Sequence, residues 1–522
     1  MLEKTPRPPR LRPQSDWLSD IPPSFAPASK RHAADRIGVI DVGSNSVRLV
    51  VFEGHCRSPA KVYDEKVMCG LGAQLQQTGA LDPAGKARTM AALKRFAALA
   101  GSLGLGALTG VGTAALRDAV DGPAFRDELA EKTGIRLAIA TGADEARLAG
   151  QGVLFGNPGA EGVVIDLGGA SLEFARLADG AVVEGLTTPL GPLRLKALIE
   201  KGGDADAEIR RYLETLVNAY HLDGGMLYLV GGSWRALAKA QILRSRYPVG
   251  VLHEFAMDRR IATNLCRWAA RQTPEQLGQI QGLSANRVGN MPLTATLLGH
   301  IIEVLEPGDL QVSAFGLREG LCLENLPDQV QRADPLLAAC RDQERRRART
   351  PGFGEELGAW AAAILPPESP GEARLMQAAA YLADVNWRTH PDFRADGCWE
   401  TVTRATITDI GHAGRVWLGA ALVVRYKAKA RQRLEAHERG LKLLTADEID
   451  RAERLGLVLR LGGTIAGHAP GVLPHCEVSW EGARLVLTFA PEIAAFAGEE
   501  VSKRLDQLAR ALGTEAEMRR QG

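Results

Sequence analysis

The sequence predicts an α/β protein built on two duplicated lobes that face each other across a cleft, followed by a helical segment and a small α+β segment. Three observations carry that reading. Residues 37–52 read IGVIDVGSNSVRLVVF, an apolar β-branched run, a tight polar turn and a second apolar run, which is a strand that turns back into another strand. Residues 162–177 read GVVIDLGGASLEFARL. Aligning Asp166 with Asp41 puts Gly168 on Gly43 and Ser171 on Ser46, an offset of 125 residues (166 − 41), about one domain length. Finally, strand and helix signals alternate from residue 36 onward and give way to a helical pattern near Ala333.

The residues shared by the two copies are polar ones and glycines, which core packing does not explain. Gly43 lets the backbone approach a ligand closely or take a positive φ. Ser44, Asn45 and Ser46 add side-chain donors beside the N–H groups of the turn, and Asp41 sets a carboxylate at the end of a buried strand. Such a turn holds a phosphate by N–H donors while the acid positions a cation. Alone, the first turn reads equally well as an ordinary hairpin with Asx and Ser capping. The second copy tips the balance, because two such turns a domain apart suit two lobes that each offer one turn to a shared cleft.

Along the chain, residues 1–35 are rich in proline, arginine and serine and read as a disordered tail. A strand is expected at 61–68. A helix follows, with Asp82 as N-cap and Pro83 at its first position, running to residue 100 and ended by Gly101. After a strand at 106–112, a helix opens at Thr113 with Arg117 near its start. That arginine either faces the cleft or pairs with Asp118 or Asp121. A strand at 135–140 leads into a helix at 141–154 that carries Asp144 and Glu145. The second lobe adds a strand at 181–184, a Gly191-Pro192 turn, a helix at 205–220, a strand at 226–230, a Gly231-Gly232-Ser233 turn read as structural, and a strand at 312–315 before Gly316 starts a last helix. From 333 to 433 the pattern is helical. The run RDQERRRAR at 341–349 is by default a solvated helix face, although Arg345, Arg346 and Arg347 would also suit the wall of a polyanion channel. KAKARQR at 427–433 is a second basic run. Thr445 and Glu448 form a capping box that opens a short helix, and strands are expected at 457–465, 477–480 and 484–489. The organisation is thus a tail (1–35), a first lobe (36–158), a second lobe (159–332), a helical domain (333–433) and a small α+β domain (434–522).

Composition narrows the function classes. With 63 Lys+Arg against 62 Asp+Glu, the formal net charge is +1, so any basic surface is local and no nucleic-acid partner is expected. The 45% hydrophobic and 24% charged content is that of a soluble globular protein. Seven cysteines without C-x-x-C spacing argue against a disulfide framework or zinc site and suit a reducing compartment. No apolar run of about 18 residues occurs and the N-terminus has no apolar signal region, so the expectation is a cytoplasmic protein with no membrane partner. No Ser-His-Asp order, P-loop lysine motif or H-E-x-x-H is present.

The chain resembles the exopolyphosphatase/guanosine pentaphosphate phosphatase family, within the actin, heat-shock ATPase and sugar-kinase superfamily. The pieces that carry the resemblance are IDVGSNSVRLVV, GTAALRDA at 112–119, GADEARLAGQGV at 142–153, IDLGGASLEF and VSAFGLREGLC at 312–322, in the order of the family and covering roughly residues 36–325. The resemblance implies two ribonuclease-H-like (actin-like) lobes, Mg²⁺-dependent hydrolysis of the terminal phosphate of inorganic polyphosphate or guanosine pentaphosphate, and a homodimer. It implies Glu145, in the E-A-R segment, as the base that acts on the attacking water, with Arg117 beside it. Gly43, Ser44, Asn45, Ser46, Arg48, Gly168, Gly169, Ser171 and Arg287 would bind phosphate, and Asp41 and Asp166 would hold the metal. The helical domain vaguely resembles that of the family, itself related to His-Asp metal phosphohydrolases. With no His-Asp dipeptide here, His390, His412 and Asp409 are expected to be structural. Ala170 stands where the family usually has a third glycine, and its methyl group would crowd a bound phosphate. A protein that senses polyphosphate or nucleotide without turning it over is therefore the rival reading from another class. A sugar-kinase-like phosphotransferase lacks an identifiable acceptor aspartate.

Overall fold

The computed structural model describes residues 36–53, 56–426, 434 and 437–521. The expected tail (1–35) and the second basic run (427–433) lie outside the described residues. The chain divides into two compact units. One holds the described residues up to Ser245 together with Leu252–Ala333, and the other holds Arg246–Val251 and the residues from Asp334 onward.

The first unit contains two sheets. In the first, β1 (Ile37–Val42), β2 (Ser46–Glu53) and β3 (Ala60–Met68) form an antiparallel meander, and β4 (Ala107–Gly112) and β5 (Leu137–Ile139) add parallel to β1, giving the order β3-β2-β1-β4-β5. β1 is apolar on both faces because it lies between two neighbours and under helices on both sides. Val39 and Val50 pack with Leu148 and Val153 on one face. Ile40, Val47 and Leu49 pack with Leu93 and Phe96 on the other.

The second sheet consists of β6 (Gly162–Leu167), β7 (Leu172–Ala178), β8 (Ala181–Thr188), β9 (Met226–Val230), β10 (Ala256–Asp258) and β11 (Asp309–Ser313), in the order β10-β11-β9-β6-β7-β8. Counted from β8, its first five strands repeat the first sheet: an antiparallel meander, then two parallel additions, with β10 as an extra antiparallel edge. The duplication seen in the motifs therefore extends to the topology, and these are the two ribonuclease-H-like lobes.

Local chemistry moves several boundaries. The helix capped by Asp82 runs past Gly101 to Leu103, and it ends at Gly104, whose φ of 63° supplies the left-handed C-cap. The helix expected at 205–220 is two, Ala205–Glu214 and Val217–Tyr220. The amides of Thr215 and Leu216 bond back three residues, to Tyr212 and Leu213, and so tighten the break.

In the second unit, five helices (Pro335–Arg347, Phe353–Ile364, Pro370–Leu382, Arg394–Arg404 and His412–Tyr426) share one core with two later helices and a small sheet. Residues 457–465 are not a strand. They are the second half of the 21-residue helix Ala446–Ala466 that the Thr445–Glu448 capping box opens. Its buried Leu455, Val458, Leu459, Gly462, Ile465 and Ala466 recur at three- and four-residue steps, the helical spacing. The sheet has β12 (Cys476–Glu481) antiparallel to β13 (Arg484–Phe489), with β14 (Glu515–Arg520) parallel on the far side of β13, followed in space by the helix Glu499–Leu512. The arginines of 341–349 have local partners: Arg341 bonds Glu355 and Tyr381, Arg345 and Arg346 bond Asp342, Arg347 bonds Asn386, and Arg349 grips Asp384. His412 contacts Tyr247, His390 caps the turn at Asp392, and Asp409 pairs with Arg374. No described helix is long and apolar enough to cross a membrane.

The helix Gly142–Gly156 packs against the helix Leu317–Asn325 at backbone contact. A Cβ on Gly320 would lie 2.1 Å from the Leu148 carbonyl oxygen, and one on Gly152 would lie 2.2 Å from the Gly316 carbonyl oxygen. Gly320→Ala is expected to cost about 1–3 kcal/mol, the usual cost of overpacking, because the clash is with backbone. The lowered unfolding temperature is measured by calorimetry.

Candidate active site

Both D-x-G-x-x-S turns close in the same way. The Gly43 amide donates to the Ser46 carbonyl at 3.0 Å, and the Gly168 amide donates to the Ser171 carbonyl at 3.1 Å. Neither glycine has a positive φ. Their use is close approach, since a Cβ on either would sit 3.4 Å from the carbonyl oxygen of its serine. The scaffold engages the carbonyl side of each turn. Asn45 accepts from the amides of Cys69 and Gly70, Ser44 from Gly72, Gly169 from Leu193 and Ala170 from Gly191. Among the described residues no hydrogen bond leaves the amides of Ser44, Asn45, Gly169 or Ala170. Both turns line one cleft of about 630 Å³ within the first unit, so two sets of unengaged N–H donors border the same space.

Sheet register places charge beside each turn. Asp41 on β1 is opposite Arg48 on β2, which is opposite Lys66 on β3, a row of three on one face. The equivalent row of the second lobe is Asp166, Glu173 and Thr187. The rows share the aspartate and then diverge, to two cations in the first lobe and to a second acid in the other. Arg318, just past the N-terminus of the helix Leu317–Asn325, donates to Asp41 at 3.0 Å. The next residue, Glu319, forms an ion pair with Lys61 at 2.6 Å and accepts from the Gly316 amide at 3.0 Å. Burial alone would raise the Glu319 carboxyl, but Lys61 and Arg318 hold it down at about 2.

Glu145 reaches the cleft from the first turn of the helix Gly142–Gly156, which a capping box between Thr141 and Asp144 fixes in place. Arg117 bonds Glu145 and also donates to the Ala140 carbonyl at 3.0 Å and to Asp118 at 3.0 Å. Burial pushes the Glu145 carboxyl up to about 7, with Asp166 and Asp41 adding to the rise and Arg117 opposing it. Burial likewise raises Asp166 to about 6, helped by Asp41 and Glu319 and opposed by Arg235 and Arg318. Glu173 rises to about 8, through burial and then the repulsion of Glu145 and Asp166, against hydrogen bonds from Ser171 and Thr187. The influences on the Asp166 carboxylate are burial and charge, with no hydrogen bond among them.

The cleft collects most of the residues expected from sequence: Asp41, Gly43, Ser44, Asn45, Ser46, Arg48, Glu145, Asp166, Gly168, Gly169, Ser171 and Arg287 all line it. Arg117 does not line it and reaches it only through Glu145. Arg48 lines it while paired to Asp64. The Arg287 guanidinium lies against Gly232, where a Cβ would meet its Nη2 at 2.3 Å. Gly231 takes a φ of 114°, and with Gly232 and Ser233 it brings the start of the helix Gly232–Ser245 to the cleft. Sequence reasoning did not single out Glu173, Lys66, Arg235 or Arg318. Glu173 had a signal, since it stands in the second copy where Arg48 stands in the first (173 − 125).

This cleft, taken with the family matches that follow, is that of a phosphoanhydride hydrolase. The chain belongs to the Ppx/GppA phosphatase family, which residues 50–329 match, and residues 336–518 match the exopolyphosphatase C-terminal family. It is 27% identical over 309 residues to Exopolyphosphatase 1 of Mycobacterium tuberculosis, covering 56% of this chain and 89% of that protein. It is 26% identical over 341 residues to the guanosine-5'-triphosphate,3'-diphosphate pyrophosphatase of Aliivibrio fischeri, covering 63% of this chain and 64% of that protein. The crystal structure of the Aquifex aeolicus Ppx/GppA family member aligns with a TM-score of 0.49 at 22% identity, covering 55% of this chain and 96% of that one.

The raised carboxyls make stability depend on pH. The folded protein holds the Glu173 proton up to about pH 8, whereas the unfolded chain releases it near the ordinary glutamate value of 4.5. The stabilisation is full below that lower value and is lost as pH rises through about 8. The unfolding temperature without divalent ions should therefore fall from pH 5 to pH 8, and Glu173→Gln should flatten that slope. A variant with the parental slope would exclude Glu173 as its source.

Proposed function

We propose that the chain is an exopolyphosphatase, which releases the terminal phosphate of inorganic polyphosphate by attack of water. The observation that carries this reading is Glu145, a cleft-facing carboxylate raised to about 7 beside two turns with unengaged amides. Ser44, Asn45, Gly169 and Ala170 offer amides to the terminal phosphoryl oxygens, where negative charge must be held in the transition state. Glu145 accepts a proton from the water as its oxygen bonds to phosphorus. The bridging P–O bond breaks, and the electron pair leaves with the shortened chain. Arg117 orients Glu145 and keeps its pKa from rising further.

The donor set fits a divalent cation. Asp41 and Asp166 are hard oxygen ligands, the influences on Asp166 are burial and charge, and the mutual repulsion of the cleft carboxylates is the kind that a cation relieves. No group of three or more His, Cys, Asp or Glu that could hold a metal occurs among the described residues, so Mg²⁺ would take its other ligands from water and phosphate oxygens. Bound there, it would neutralise charge on the transferred phosphoryl group.

A second reading, hydrolysis of guanosine pentaphosphate at the same site, is favoured by Met68 and Leu193. Both line the cleft while 51% and 50% exposed, an apolar surface that suits a base and not a phosphate chain. Phosphate release measured side by side from long polyphosphate, guanosine pentaphosphate and ATP decides between the readings, and release from none of them supports the sensing protein.

Glu145→Gln should lower turnover about 10²–10⁴-fold with polyphosphate binding kept; near-parental turnover removes Glu145 from the mechanism. Because the base must be ionised, kcat/KM should rise with pH through about 7. Arg117→Met should move that limb to higher pH. The Ala170 methyl is tested by Ala170→Gly, which should raise the release rate or lower KM. The Ala170 backbone is already clamped, since a Cβ on Gly191 would lie 2.2 Å from its carbonyl carbon, so unchanged kinetics would mean the turn accommodates the methyl.

A further inference from the structure

The divergence of the two equivalent rows gives the cleft a direction. Asp166–Glu173–Thr187, with Glu145, makes one side acidic. Asp41–Arg48–Lys66 makes the other side basic, and β3, which carries Lys66, is the edge strand of its sheet. Among the cleft cations, Arg48 is paired to Asp64 and Arg318 to Asp41, and Arg235 donates to the Ala314 carbonyl. The Lys66 ammonium has no hydrogen bond or ion pair among the described residues, nor does the Arg287 guanidinium. The two come from opposite lobes and line the same cleft. Two like charges that line one cleft repel each other, and an anion between them would relieve that repulsion.

We propose that Lys66 is a substrate-binding residue that, with Arg287, holds the phosphates on the leaving side of the scissile bond, so that the polyphosphate chain exits over the β3 edge. The inference rests on the polyphosphate reading above and deepens it by assigning the direction of the chain. The state of the Lys66 ammonium agrees. The cleft walls desolvate it and Arg287, Arg48 and Arg318 repel it, against Asp41 alone, so its pKa is lowered. A bound polyanion would offset the repulsion from the three arginines. Neighbouring phosphates along a chain provide the repeated charge that a row of cations across strands requires, whereas a single orthophosphate would engage only the turns.

The test compares polyphosphate binding to Glu145→Gln protein with and without Lys66→Met, by calorimetry across a salt series. The expected result is that Lys66→Met raises Kd about tenfold, the worth of one charge-assisted contact. The dependence of log Kd on log salt should weaken as one charge contact is lost. In the active protein the same substitution should raise KM and leave kcat. Lys66→Arg should restore binding, and Lys196→Met, which removes an exposed lysine paired to Glu200, should change nothing. An unchanged Kd and salt slope in the Lys66→Met protein, at an unchanged unfolding temperature, overturns the lane. Phosphate release by the parent protein is read separately: a parent inactive on polyphosphate sinks the functional reading, and an active parent with an indifferent Lys66 sinks only the direction of the chain.

Discussion

The site depends on one steric constraint, the closeness with which the helix Gly142–Gly156 is allowed to lie. Glu145 occupies its first turn, and the helix reaches the cleft only by touching its neighbours at backbone distance. A Cβ on Gly142 would lie 2.1 Å from Thr187 Cγ2, one on Gly150 2.7 Å from Val182 Cγ2, and one on Gly152 2.2 Å from the Gly316 carbonyl oxygen. On the facing helix, Gly320 makes the same accommodation for Leu148. These glycines sit in a helix despite the entropic cost of about 1 kcal/mol each relative to alanine. Close packing sets Glu145 among Asp41, Asp166 and Glu173, and that crowding, with the burial it brings, raises the carboxyls toward neutrality. The raised pKa of Glu145 is thus tied to the small residues of its own helix, Gly142, Gly150 and Gly152, and to Gly320 on the facing one.

The duplicated hairpins explain why one cleft can hold both an acid and an anion. A turn and its mate with identical flanks would present identical charge to the two sides of a phosphoryl group. Here the closing bond and the aspartate are kept in both copies, while the position opposite the aspartate has become Arg48 in one and Glu173 in the other. On the proposed reading, the shared elements would bind what is common to every substrate, a terminal phosphate, and the diverged elements would separate an acidic side from a basic one.

Much of this was legible in the sequence because core packing gives no reason for glycines and polar residues to recur at one spacing in two places. The turns and the central strands followed from that pattern, whereas Glu145 was named only through the resemblance of its E-A-R segment to the family. Lys66, Arg318 and Arg235 were not legible, because their roles arise from strand register and from contacts between distant parts of the chain. The Arg318–Asp41 bond joins residues 277 apart, and no local pattern announces it. The misread strand at 457–465 has a different cause: a short apolar run is ambiguous between strand and buried helix. The capping box twelve residues earlier (457 − 445) was the signal that the run belonged to a long helix.

Charge counted along the chain gives a misleading picture of where a polyanion would be drawn. The arginine-rich stretch 341–349 looks on paper like a place for a polyanion and yet has little to offer, because its arginines grip Glu355, Asp342 and Asp384 within their own unit. Arg349 and Asp384 in particular brace the second unit, with Asp384 buried at 5% exposure. An arginine already held by a buried carboxylate gains little from a new anion and would leave a costly unpaired acid if it moved. The cleft-lining cations without a side-chain partner among the described residues, Lys66 and Arg287, are isolated in sequence and line one cleft in the fold. A net charge of +1 over the whole chain is therefore compatible with strong local attraction for polyphosphate. What governs that attraction is the number of cations lacking a partner at one place, a property of the fold and not of the composition.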